Sequence, residues 1–140
     1  MASINNGKLV LGGLAAGLVI NVVESVVNLT MLAGPWEDAL AALNLPPLAG
    51  GAIGGFVALG FLLGILTVWI YAAIRPRFGP GPATAMKAGL ATWIAFYVFG
   101  YFGDWLSGLV PTSLFLIVLA YSLVMMLGAA YVGGMVYKEA

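Results

Sequence analysis

A carboxylate and two amides, Glu24, Asn21 and Asn28, stand inside the predominantly apolar run "GGLAAGLVINVVESVVNLT" (12–30). A carboxylate flanked by amides can do three kinds of work in such a place. It can clip helices together by hydrogen bonds, take and release a proton, or coordinate a cation together with the amide carbonyls. On a helix these residues share an arc of roughly 80° with Gly13 and Gly17. That stripe must face protein or water, because an acidic side chain near the centre of a spanning helix costs on the order of 2.5–3.5 kcal/mol. At the same expected depth on the other segments stand Tyr97, Tyr121 and Ser122, and no Lys or Arg. Glu24 is therefore expected either as a neutral hydrogen-bonding clip or in a hydrated cavity. Asn21, Asn28, Tyr97, Tyr121 and Ser122 are its expected polar company.

Little else in the chain can carry chemistry. There is no Cys and no His, which removes thiol nucleophiles, disulfides, thiolate metal sites and imidazole acid–base or ligand chemistry. Asp104, in "GYFGDWLSG", reads as a solvated helix end, and the adjacent Met125 and Met126 read as packing. The "NLT" at 28–30 matches a glycosylation sequon but lies within a predicted span. In "RPRFGPGP" (75–82) the glycines suggest a phosphate loop, yet Pro80 and Pro82 remove backbone N–H groups that such a loop needs. This segment reads as a stiff turn. An enzyme would have to rest on Glu24, Asp104 and tyrosines alone. No enzymatic activity, metal or cofactor is expected, and a net charge of zero with five scattered cations gives no basic patch for nucleic acid.

The elements that must position Glu24 are membrane helices. Of 140 residues 63% are hydrophobic, 7% are charged and 20 are Gly, a composition that belongs in a bilayer. Four stretches reach the roughly 20 apolar residues a span needs, at about 9–33, 50–74, 83–102 and 112–137. The first is too long for the apolar core of a signal peptide and is expected to stay in the mature protein. The reading is an all-α integral membrane four-helix bundle forming a single domain over 1–140. Between spans one and two, "AGPWEDALAALNLPP" (33–47) reads as a short interfacial helix, with Pro35 at its first helical position and Glu37 and Asp38 in its first turn.

Orientation follows from the cations. Lys8, Arg75, Arg77, Lys87 and Lys138 all fall on one face of this topology, while Glu37, Asp38 and Asp104 fall on the other. Both termini are expected in the cytoplasm. Small residues four apart, Gly13 and Gly17, Gly50 and Gly54, Gly51 and Gly55, Gly60 and Gly64, and Ala130 and Gly134, let helix backbones approach closely. Such seams serve either packing within the bundle or association with another copy.

The segments "GGLAAGLVINVVES", "GAIGGFVALGFLLGILTVWIYAAIRPRFGPGP" and the "YKEA" tail resemble a group of small bacterial membrane proteins. The resemblance implies a four-span protein of the inner membrane and implies no activity, ligand or catalytic residue. The expected function is that of a structural or accessory membrane protein. It would be a subunit of a larger membrane complex or a homo-oligomer, with lipids and other subunits or itself as partners. The alternative is a small proton- or cation-linked channel or transporter centred on Glu24.

Overall fold

The computed structural model describes residues 3–138. These form four helical rods: α1, Asn6–Ala42; α2, Gly50–Phe78; α3, residues 82–106; and α4, Thr112–Val136. No strand occurs among the described residues. Three of the four, α1, α2 and α4, are long and apolar enough to cross a membrane. The third expected span is a helix but falls outside that set. Thr84, Lys87, Thr92, Trp93, Tyr97, Tyr101 and Asp104 all lie along it and dilute its apolar character.

Helix ends follow local chemistry. Asn5 caps α1 by accepting from the Lys8 N–H at 3.0 Å. The α1 rod ends where Asn44, at φ 55°, turns the chain and Leu45 N donates to Leu40 O at 2.9 Å. The α2 rod runs through Pro76 and stops at Gly79, whose φ of 79° suits glycine. Pro82 then opens α3 at a position where its missing N–H costs nothing. The stiff turn expected over 75–82 is thus confined to 79–81, and the last residues before it remain helical.

The segment expected as a short interfacial helix is helical over Ala33–Ala42, but no loop separates it from α1: the two join through one π-helical turn, Asn28–Leu32. Pro35 sits three residues into this continuation, where the rod before it is already helical. The reason is local: Asn28 Nδ2 donates to Glu24 O at 2.8 Å, and Thr30 Oγ1 donates to Val26 O at 2.6 Å. Side-chain donors thus satisfy carbonyls just before the wider turn, so the helix passes through without breaking.

The rods alternate in direction. Near one end Gly13 meets Ile65 and Gly17 meets Phe61, so α1 and α2 run antiparallel; Gly89 meets Ala130 and Gly134 meets Ala85, so α3 and α4 do the same. The closest approach is backbone on backbone. A Cβ on Gly64 would overlap the Gly17 nitrogen and the Gly13 carbonyl, and one on Gly13 would come within 2.6 Å of Ile65 Cα. Only glycine permits that seam. By contrast, residues 50–59 at the start of α2 are exposed without interruption. Gly50, Gly51, Gly54 and Gly55 have no atom within 4 Å of a would-be Cβ. The core lies between, around Ile20, Val68, Val118 and Met126.

Candidate functional site

Side-chain hydrogen bonds tie the four rods to one another near mid-height. Asn21 Nδ2 donates to Val57 O at 3.2 Å between α1 and α2, and Thr67 Oγ1 meets Thr92 Oγ1 at 3.2 Å between α2 and α3. Trp93 Nε1 donates to Ser122 Oγ at 2.9 Å between α3 and α4. The remaining two converge on Glu24. Tyr97 Oη, from α3, donates to Oε1 at 2.7 Å, and Tyr121 Oη, from α4, donates to Oε2 at 2.9 Å. One carboxylate therefore gathers three helices.

A third donor comes from α1 itself. Asn28 Nδ2 reaches Glu24 Oε2 at 2.9 Å, while Asn28 Oδ1 accepts from Trp36 Nε1 at 2.9 Å. An indole N–H only donates, so the Asn28 oxygen must face Trp36 and its nitrogen must face Glu24. Trp36 thereby sets the polarity of the amide. Trp36 in turn lies 6.3 Å from Tyr101, which stacks on Tyr97 at 6.2 Å with an interplanar angle of 6°. An aromatic wall closes the side of the site toward the far end of α1. Glu24, Asn28 and Tyr121 are half-buried, and Tyr97 is buried.

The site also coincides with the two departures from α-helical geometry. Asn28 opens the π turn of α1, and Tyr97 lies within the second π turn, Ile94–Val98, of α3. Each wider turn shifts the register of the residues that follow, which brings Trp36 over Asn28 and sets Tyr97 toward α1. Such turns recur at functional positions.

Of the six polar residues expected together, the structure joins four: Glu24, Asn28, Tyr97 and Tyr121. Asn21 turns instead to Gly17 O at 3.0 Å and to α2, occupying room left by Gly60. Ser122 faces Trp93. The two asparagine carbonyls therefore do not assemble with Glu24 into a cation-coordinating set; three donors surround the carboxylate, and Asn28 Oδ1 is taken. Among the described residues no cluster of three acidic side chains suited to a metal occurs. Of the six glycines expected to pack, Gly13, Gly17, Gly60 and Gly64 meet neighbours across helices, and Gly50 and Gly54 do not. Trp36 and Tyr101 are the members that sequence reasoning missed. Trp36 sits eight residues beyond Asn28, a helical spacing that makes it a legible candidate once α1 is drawn as one rod.

Fold and site together define a helical protein with several rods able to span a membrane and a hydrogen-bonded carboxylate within them. No family model, curated protein or solved structure matches the chain.

Proposed function

We propose that this chain is an accessory integral membrane protein of the bacterial inner membrane, crossing it four times with both termini cytoplasmic. In this reading it assembles with another membrane subunit, or with itself, through the outer half of α2. The carrying observation is the contrast between two sets of glycines. Gly13, Gly17, Gly60 and Gly64 are consumed within the bundle, whereas Gly50, Gly51, Gly54 and Gly55 face nothing among the described residues. Ile53, Phe56 and Leu59 project beside them, each more than half exposed. A helix face of small residues flanked by large apolar ones suits close packing against a second helix. Glu24 then serves as the clip that holds α1, α3 and α4 in register.

The test uses the absence of native cysteine. Gly54→Cys, cross-linked in native membranes and extracted gently, is expected to yield one adduct of defined mass, and Leu18→Cys on another exposed face is expected to yield none. Monomer alone from both variants counts against the reading.

A second reading, proton-linked transport through Glu24, draws support from one observation: the half-buried carboxylate lies where both π turns meet. The cation-linked form has less support, because donors surround the carboxylate. Glu24→Gln that folds normally but abolishes proton flux in vesicles would favour this second reading.

A further inference from the structure

Far from Glu24, the cationic end of the bundle holds a cleft of about 140 Å³. Gly81 and Pro82 of the α2–α3 turn form one wall, and Tyr131, Gly134 and Met135 of α4 form the other. Buried Tyr71 and Ala85 form the floor. The wall at the turn is held in place, since Gly81 N donates to Tyr71 Oη at 3.1 Å.

Along the chain, cations stand on either side of the turn and just after the α4 wall. Exposed Arg77 and Lys87 belong to the hairpin that carries the turn, with Lys87 Nζ 4.2 Å from the centre of the Phe78 ring. Exposed Lys138 follows Met135 by three residues. Toward mid-height the cleft opens onto a strip of α4. Met135, Tyr131, Gly128 and Val124 fall on one helical face, and all are exposed. Gly128 leaves a notch there, with no atom within 4 Å of a would-be Cβ. Exposed cations at the same end of the bundle as a small cleft, with a notched apolar strip beside it on α4, match the anatomy of an anionic amphiphile.

We infer that this cleft seats one anionic glycerophospholipid. Its phosphate lies between Arg77 and Lys138, its glycerol in the cleft, and one acyl chain along Tyr131, Gly128 and Val124. Basic pockets between membrane helices recognise anionic headgroups by charge, and each Lys or Arg near the surface strengthens that attraction. Zwitterionic lipids carry the same phosphate but bring a compensating cation, so the cleft discriminates by net charge. The inference rests on the membrane reading above.

The test titrates the detergent-purified full chain with phosphatidylglycerol, phosphatidylcholine or glycerol phosphate. Lipid retention in native mass spectra and the unfolding midpoint are recorded. Phosphatidylglycerol is expected to be retained and to raise the midpoint well above the effect of phosphatidylcholine. Removing cations in Arg77→Gln and Lys138→Gln should weaken its binding by roughly fivefold per cation. Gly128→Leu, which fills the notch, should reduce retention with both cations intact. Equal retention of the two lipids, or a loss of less than about twofold in all three variants, overturns the inference. So does glycerol phosphate reproducing the full stabilisation, which would assign the cations to a free anion. Release of the protein by alkaline carbonate washing would instead defeat the membrane reading itself.

Discussion

Tyr97 Oη donates to Glu24 Oε1 across 2.7 Å, joining residues 73 apart in the chain. Tyr121 reaches the other oxygen of the same carboxylate from a different helix. Tyr97→Phe and Tyr121→Phe are each expected to cost about 0.6 kcal/mol, the average for hydrogen bonds between membrane helices, and no more than about 1.7 kcal/mol. Because both act through Glu24, a double-mutant cycle against Glu24→Ala, which removes both acceptor oxygens, should show coupling. Reversible denaturation in detergent checks this; strict additivity would mean that the contacts carry no energy.

Asn28→Asp replaces a donor with an acceptor opposite Glu24 Oε2. The substitution is nearly isosteric but sets two acidic groups about a hydrogen-bond length apart, with Trp36 still donating to the other oxygen. It is expected to destabilise more than Asn28→Ala, which removes the contact without adding repulsion. The midpoints of the two variants, measured side by side, decide the order.

Gly64→Ala and Gly54→Ala add the same methyl group to the same helix. At Gly64 the methyl overlaps the α1 backbone, so the rods must separate, at a cost of about 1–3 kcal/mol. At Gly54 it meets nothing within the chain, and monomer stability should be unchanged or slightly raised. Any effect of Gly54→Ala should appear in assembly, read as a change in mass after gentle extraction.

Topology has a direct check. Lys8→Cys and Asp104→Cys put single thiols at opposite ends of the bundle in a chain with no native cysteine. In intact cells an impermeant maleimide is expected to label the cysteine at position 104 and spare that at position 8. The reverse pattern would invert the proposed orientation.

The sequence made the rods legible because length and apolarity decide them, and it made the Glu24 stripe legible because a carboxylate in an apolar run has few places to go. It did not show that α1 runs on to Ala42. Pro35 and the acidic pair Glu37 and Asp38 resemble a helix start, and the donors that carry the rod past it, Asn28 and Thr30, look like a sequon. Ser122 is legible only by depth, and depth does not set azimuth, which sends it to Trp93. Asn21 shares the helical stripe of Glu24, but a stripe roughly 80° wide borders two neighbours, and Asn21 at its edge bonds to Val57 of α2 instead. Likewise, a spacing of four glycines reads the same whether a partner helix is present, as at Gly13 and Gly17, or missing, as at Gly50 and Gly54.

The weak apolarity of α3 bears on biogenesis. In the proposed four-span topology, a segment carrying Thr92, Trp93, Tyr97 and Tyr101 would gain little by partitioning alone into acyl chains, and its retention would depend on helices already in place. When it emerges from the ribosome, α1 already offers Glu24 to Tyr97 and α2 offers Thr67 to Thr92. In that topology the first hairpin would serve the second as an intramolecular insertion platform, with α4 completing the capture.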